Sequence, residues 1–289
     1  VMDLCLSCKG CTGECPSGVD VASMKAEFLH QYYKTHGIPW RNKLFAQIGK
    51  MSAMATAAPW LHNFMASNKA TSYLGKWMLG VAQERSLPLL HQTTLRKFYD
   101  KHWREIKPAE PVGKVFFLAD EFTNFNDTDI GIKALKLLAK LGYDVEIPKH
   151  AESGRTHISK GLLDDAAKLA NQNIDSLADK VSPETPLVGI EPSCILGFRD
   201  EYLRLAKPEL KQKAKYLSDC SLLLDEFLQN EIKKGNLKRE LFSKNQVKVL
   251  LHGHCHQKAL SSVDCSKAIL EFPENYSVEV IPSGCCGMA

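Results

Sequence analysis

The sequence predicts an α/β protein with an all-helical N-terminal part. Residues 40–105 are rich in Ala, Met, Leu and Trp and show no strand-like alternation of apolar and polar positions. After residue 113, short apolar runs alternate with helix-period segments, which is the pattern of parallel βαβ units. The sequence KPAEPVG at 107–113 has the composition of a linker and separates the two patterns.

The composition limits the class of protein. A chain of 289 residues is long enough for two or three domains, and its 44% hydrophobic and 24% charged residues are ordinary for a globular protein. The net charge of +4 is small and no block of Lys and Arg stands out, so nucleic acid is not an expected partner. No run of 18 apolar residues predicts a membrane-spanning helix.

Most of the ten cysteines fall in motifs with metal-ligand spacing, which predicts a reducing compartment and metal chemistry. The chain begins with valine and shows no secretory signal, and we expect it to be a fragment of a longer protein.

The N-terminal sequence CLSCKGCTGECP places Cys5, Cys8, Cys11 and Cys15 before Pro16. This is the C-x2-C-x2-C-x3-C-P spacing of bacterial ferredoxins, in which three thiolates bind three irons of one cubane. A structural zinc site more often has two separated C-x2-C pairs. A disulfide scaffold is typical of small secreted chains. The spacing therefore predicts a [4Fe–4S] cluster.

The fourth cysteine of such a run ligates the other cluster in proteins with two clusters. The chain has no second run of this kind. We therefore expect Cys5, Cys8 and Cys11 to hold one cluster. Cys15 would serve a second cluster whose other ligands lie upstream of Val1.

The cluster-binding segment is predicted to span residues 1–36 and to end in a helix. Asp20 is a suitable N-cap for this helix, and Met24, Phe28 and Tyr32 recur at four-residue steps.

Residues 37–107 form a predicted helical connector, with short amphipathic helices interrupted at Pro59 and Pro88. Its Met and Trp residues favour packing in a core. The alternative is a surface that docks on a membrane or forms a quinone pocket.

The α/β part is predicted to contain two similar halves, at 112–246 and 247–289. KVFFLADEF at 114–122 aligns with KVLLHGHCH at 248–256, and YDVEIPKHAESG at 143–154 aligns with YSVEVIPSGCCG at 276–287. Helices are also predicted at 129–141 and 160–179, and a strand within 186–194. The second half ends soon after its CCG sequence and is expected to be truncated.

Three cysteines of the second half align with residues of the first half that are not cysteines. Cys255 aligns with Glu121, Cys285 with Glu152, and Cys286 with Ser153. The first half therefore lacks the CCG sequence and is expected to be degenerate.

Six residues near predicted strand ends form a second candidate metal site: Cys194, Cys255, Cys285, Cys286, His254 and His256. Because ligands bind at the carboxyl ends of parallel strands, separate strands can deliver these side chains to one place. Soft thiolates with imidazole suit either an iron–sulfur cluster or zinc. The alternatives are reduced thiols buried between domains, and histidines that hydrogen-bond their own loop. Cys220 and Cys265 have helical surroundings and are expected to be ordinary buried cysteines.

The combination of CLSCKGC…CP with CHQKAL…CCGMA resembles the iron–sulfur, cysteine-rich (CCG-domain) portion of FAD-linked oxidases. That family includes the iron–sulfur subunit of glycolate oxidase and the fusion dehydrogenases for D-lactate and D-2-hydroxyglutarate. The CCG-containing subunit of heterodisulfide reductase and the iron–sulfur subunit of anaerobic glycerol-3-phosphate dehydrogenase are more distant relatives. The resemblance covers nearly the whole chain. It implies an α-helical ferredoxin domain followed by two cysteine-rich α/β domains.

The resemblance also implies an oxidoreductase component that carries electrons from FAD, on a separate domain or subunit, toward a quinone or another acceptor. No G-x-G-x-x-G sequence follows a predicted strand, so the flavin and 2-hydroxy-acid sites are expected elsewhere. The expected location is cytoplasmic, with peripheral contact at the inner face of the cytoplasmic membrane. Two alternatives remain: a CCG reductase that acts on disulfides, and a zinc-bearing docking scaffold.

Overall fold

The N-terminal part of the computed structural model, which describes residues 2–282, is helical. It contains α1 (Gly10–Glu14), α2 (Val21–His36), α3 (Trp40–Ala46), α4 (Ile48–Ala55), α5 (Pro59–Ser67), α6 (Lys69–Leu79) and α7 (Leu95–Ile106). Asp20 caps α2 as predicted, because its side chain accepts a hydrogen bond from the Ser23 N–H. Pro59 occupies the first turn of α5, where its missing N–H costs nothing.

The buried face of α2 is not the one that the four-residue steps indicated. Met24, Phe28 and Tyr32 are about half exposed. The buried face instead carries small and mixed side chains: Ala22, Lys25, Ala26, Leu29 and Tyr33. Gly161 permits this close packing, since a Cβ there would lie 2.4 Å from Leu29 Cβ.

The α/β part begins with a four-stranded sheet and its helices. The elements are β1 (Gly113–Phe117), α8 (Glu121–Phe125), α9 (Thr128–Lys140), β2 (Tyr143–Glu146), α10 (Arg155–Ser159), α11 (Leu163–Leu177), β3 (Leu187–Gly189), α12 (Pro192–Ile195), α13 (Glu201–Leu205), α14 (Lys211–Asp219), β4 (Ser221–Leu223) and α15 (Leu224–Lys233). All strands are parallel in the order β2-β1-β3-β4. β4 was not predicted; it is a three-residue strand directly after buried Cys220.

Helices cover both faces of this sheet. Val115 and Phe117 of β1 pack on one face with α7, α9 and α15, whereas Phe116 and Leu118 pack on the other with α11, α13 and α14. This alternation is what a strand buried on both faces requires. The general α/β class predicted from the sequence is confirmed.

A second parallel pair follows, with β5 (Val247–Leu251), α16 (Cys255–Leu260), α17 (Asp264–Leu270) and β6 (Tyr276–Val280). Lys114 of β1 pairs with Glu146 of β2 at 2.7 Å, and Lys248 of β5 pairs with Glu279 of β6 at 2.9 Å. These pairs occupy matching positions in the sequence alignment of the halves. The division into two repeated domains, and the ferredoxin-type fold of the N-terminal segment, remain predictions.

Candidate functional site

The N-terminal cysteine run turns sharply around Cys8. Ser7 and Lys9, on either side of it, have φ values of 57° and 61°, in the left-handed region that non-glycine residues seldom adopt. Both residues are buried, and α1 begins at the next residue, Gly10. Strained backbone of this kind persists only where surrounding contacts fix it.

Two thiols of the run accept backbone hydrogen bonds. The Val21 N–H donates to Cys11 Sγ at 3.3 Å. Backbone N–H groups of Val19 and Ser17 point at the Cys15 sulfur and lower the pKa of that thiol. Because the thiolate is the form that ligates metal, these contacts suit a metal-binding role. Backbone N–H groups also stabilise the charge on iron–sulfur clusters.

A buried lysine anchors the run to the rest of the molecule. The Lys9 side chain is 1% exposed, and its Nζ lies 2.6 Å from Asp200 Oδ2, 2.8 Å from Asp20 Oδ2 and 3.3 Å from Glu201 Oε1. Burial alone would lower the pKa of Lys9, but these carboxylates outweigh it and raise the pKa. The ammonium of Lys9 thus faces three acceptors: Asp20, 11 positions away, and the distant pair Asp200 and Glu201.

The hydrogen-bond and ion-pair network around Lys9 extends to α16, the helix that begins with the CHQ sequence at Cys255. Arg155 Nη1 lies 2.7 Å from Glu201 Oε1 and 3.5 Å from His256 Nε2. Burial, together with the positive charge of Arg155, lowers the pKa of His256 to about 3. His256 is therefore neutral at physiological pH and accepts from Arg155 rather than pairing with Glu201.

Helix α16 starts with the cysteine of the CHQ sequence. His254 caps it, since its Nδ1 accepts from the His256 N–H at 3.2 Å, and His254 Nε2 lies 3.9 Å from Glu191 Oε1. Helix α1 of the N-terminal run packs directly against α16. The helices that carry Cys11 and Cys255 are thus neighbours, although 244 positions separate the two cysteines.

In the first half, side chains that follow the ends of three strands meet at one point. Glu121, after β1, accepts from the Ser153 N–H at 2.9 Å and from Ser153 Oγ at 2.6 Å, and Ser153 follows β2. Cys194, after β3, is buried and hydrogen-bonds the Ser153 hydroxyl. Burial and the nearby carboxylates raise the pKa of Cys194 well above its usual value, which keeps it a neutral thiol. The carboxyl ends of the strands gather these side chains, as expected of a parallel sheet.

The remaining predicted ligands, Cys285 and Cys286, lie outside the described residues, so the proposed second site is seen only in part. Within residues 2–282, no three His, Cys, Asp or Glu side chains are arranged to hold a single metal ion. The thiolates of a cubane bind separate irons and are spaced more widely than the ligands of one ion. None of the eight described cysteines forms a disulfide.

Sequence reasoning missed the network around Lys9. Asp20 was identified only as a helix cap, and Arg155, Asp200 and Glu201 were not identified at all. The only signal was a lysine between two cysteines of a cluster motif and an adjacent acidic pair at 200 and 201. Neither feature indicates a partner so distant in sequence.

A buried carboxyl in the first half gives a pH-dependent prediction. Burial and the neighbouring Glu121 raise the pKa of Asp120 from 3.8 to about 7. The folded chain therefore retains a proton that the unfolded chain loses between about pH 4 and 7, so stability falls as the pH rises through that interval. Asp120→Asn keeps the acceptor for the Phe122 and Thr123 N–H groups and removes the charge.

We expect Asp120→Asn to be more stable than the parent by a few kcal/mol at pH 8, at about 1.4 kcal/mol per pKa unit, and nearly equal to it at pH 4. Urea unfolding at both pH values measures this difference. Asp179→Asn, at a carboxylate that is 70% exposed, serves as the control and should change stability by less than about 0.5 kcal/mol. An Asp120→Asn chain that is less stable at pH 8 would show that Asp120 is not a buried, protonated acid.

The chain is similar over its whole length to curated proteins named D-2-hydroxyglutarate dehydrogenase. It is 27% identical to the protein from Haemophilus influenzae, and 26% identical to those from Pantoea ananatis and Escherichia coli. The chain spans 28% of the length of each of these relatives. No protein-family model and no solved structure matches it.

Proposed function

We propose that this chain is the electron-transfer module of an FAD-linked dehydrogenase for a 2-hydroxy acid of the D-2-hydroxyglutarate type. The observation that carries the proposal is the packing of α1 against α16, which brings the N-terminal cysteine run beside the CHQ sequence. Centres held by these two neighbouring helices would be near enough to each other for electrons to pass between them, which is what an electron-transfer module requires. The similarity to proteins named D-2-hydroxyglutarate dehydrogenase supports the oxidoreductase class and the substrate class.

Cys5, Cys8 and Cys11 would hold the [4Fe–4S] cluster, with Cys15 available to a second cluster. These residues would hold a cubane, which would supply one-electron transfer between a flavin and an acceptor such as a quinone. Lys9 holds the cysteine loop in place through its ion pair with Asp200, and the Val21 N–H donates a hydrogen bond to Cys11 Sγ. Arg155, which contacts His256, connects this network to α16. The FAD and the hydroxy-acid site belong to another domain or subunit in this proposal.

The second site would combine Cys255, Cys285 and Cys286, with His254 and His256 as further candidates; Cys194 is not included, because its surroundings favour the neutral thiol. The first half supports this arrangement, because Glu121 and Ser153, the counterparts of Cys255 and Cys286, are hydrogen-bonded to each other. Thiolates at the same two places would lie close enough to share an iron–sulfur cluster or zinc.

Metal analysis tests the electron-transfer role directly. Anaerobically purified chain is expected to contain iron and acid-labile sulfide in near-equal amounts and to give a reduced-cluster EPR signal after dithionite. Cys8→Ser is expected to remove the signal of the N-terminal cluster, because serine is a poor substitute for a thiolate ligand to iron. Cys220→Ser, at a buried cysteine outside both motifs, should leave metal and signal unchanged. Zinc without iron, even after anaerobic reconstitution, would contradict the redox role and favour a zinc-bearing scaffold.

A further inference from the structure

Helices α5 and α6 pack against each other and each presents an exposed apolar face. Both faces have the same spacing, with apolar side chains at positions i, i+1, i+4 and i+5. We call these eight side chains the connector surface: Trp60, Leu61, Phe64, Met65, Tyr73, Leu74, Trp77 and Met78. Their exposed fractions run from 44% to 70%, so the sequence-based expectation that this Met and Trp stripe packs in a core is wrong.

The segment that contains this surface has only one sign of charge. Residues 28–83 include no Asp or Glu, so all 33 acidic residues of the chain lie outside it. The segment carries six cations: Lys34, Arg41, Lys43, Lys50, Lys69 and Lys76. Lys69 and Lys76 lie on α6 itself, and the Arg41 guanidinium donates to the Gly80 carbonyl at the end of that helix. An apolar face with these cations beside it matches a partner whose surface is negative.

We propose that the connector surface docks on an anionic lipid bilayer. Trp and Tyr rings favour the headgroup level of a membrane, and lysine stems can lie along apolar surface while the ammonium remains in water. Protein interfaces are depleted in lysine, whereas lysines beside an apolar face are typical of helices that lie on lipid. The lysines on α6 therefore favour lipid over a protein partner.

The geometry fits helices that lie in the plane of the interface. Helices α5 and α6 have nine and eleven residues, too few to cross the hydrocarbon core, which needs about 20. Within residues 2–282, no helix is long and apolar enough to span a membrane. Short helices with an apolar face and flanking lysines bind by burying that face at the acyl boundary. The inference does not depend on the cluster, since it rests on residues outside both cysteine motifs.

Co-sedimentation with vesicles tests the proposal. We expect the holo chain to sediment with vesicles of mixed phosphatidylglycerol and phosphatidylcholine, and to remain largely in solution with phosphatidylcholine alone. Raising the salt concentration should weaken binding, since it screens the attraction between lysines and lipid. Tryptophan emission should shift to shorter wavelength on binding, because Trp60 and Trp77 would leave water.

Two sets of variants separate the apolar and the charged contributions. Phe64→Gln with Trp77→Gln should weaken binding by about tenfold or more, since both rings lose their burial in lipid. Lys69→Gln with Lys76→Gln, both on α6, should weaken binding by about fivefold per charge removed.

The matched controls lie outside the connector surface. Ile130→Gln with Leu241→Gln changes exposed apolar residues elsewhere, and Lys140→Gln with Lys211→Gln removes the same charge; both pairs should bind as the parent does. Iron content should be equal in all variants. The proposal is wrong if the chain does not bind mixed vesicles, or if control and connector variants weaken binding equally. It is also wrong if gel filtration shows that the connector variants abolish self-association while vesicle binding is unchanged.

Discussion

Lys9→Met is expected to destabilise the chain by about 3 kcal/mol, because it removes the cation that three carboxylates share. Methionine has nearly the length of lysine, so packing is retained while Asp20, Asp200 and Glu201 lose their common partner. This loss of stability is at the low end of what breaking a buried ion pair costs, because Asp200 keeps a second partner: Arg204 Nη2 lies 2.6 Å from Asp200 Oδ1. Urea unfolding at pH 7, followed by circular dichroism, measures the change.

The pH dependence of this variant should identify the cause. The Lys9 ammonium holds the pKa of Asp20 well below its usual range. In the parent, that contribution is present above the unfolded pKa of the carboxyl and is lost as the pH falls through the folded value. Lys9→Met lacks this contribution, so the difference in stability between the parent and the variant should become smaller as the solution is acidified.

A second substitution and a surface control complete the test. Asp200→Asn added to Lys9→Met should recover part of the lost stability, because one unpaired carboxylate is removed. Lys211→Met, at an exposed position, should change stability by less than about 0.5 kcal/mol. A Lys9→Met chain that loses less than about 1 kcal/mol at pH 7 would mean that the lysine does not anchor the run.

The sequence predicted those strands and helix ends that depend on residues close to one another in the chain. The strands at β1, β2 and β3 follow from short apolar runs between turn signals, and the helix cap at Asp20 follows from its position before an apolar-periodic segment. The parallel arrangement follows from strand–helix alternation. These features depend on neighbours within one or two turns of the chain, so their signal is present in any short window.

The contacts that build the candidate site are not local. Lys9 meets Asp200 across 191 positions, and α1 meets α16 across a still longer separation. A lysine beside a cysteine has no pattern that reveals a buried carboxylate partner. The face of α2 was misassigned for a related reason: Ala26 and Leu29 pack against Gly161, whose missing Cβ lets the helix come close, while the more apolar Met24 and Phe28 stay about half exposed. The shape of the distant partner, which the helix sequence does not contain, decided which face is buried.

The other large expected effect is the loss of metal from the proposed second site when one of its cysteines is replaced. Cys255→Ser and Cys286→Ser are each expected to remove all metal from that site, whereas Cys194→Ser should leave it in place. Glu121 and Ser153 show how the corresponding positions meet in the first half. Cys194 instead hydrogen-bonds Ser153 near the carboxylates of the first half, where a thiolate is costly.

The measurement uses the Cys8→Ser background, so that metal bound at the N-terminal run does not obscure the second site. Iron, zinc and sulfide per chain are then compared among the three variants and Cys220→Ser, which should match its parent. Loss of metal in Cys194→Ser would show that Cys194 is a ligand and that loops of both halves build one centre. Retention of metal in Cys255→Ser would contradict the alignment of the halves, since that alignment assigns Cys255 the place of Glu121. Each outcome corresponds to a different set of ligands. Metal content alone therefore decides whether the second half binds its metal with the residues that align with Glu121 and Ser153, or whether Cys194 of the first half is also a ligand.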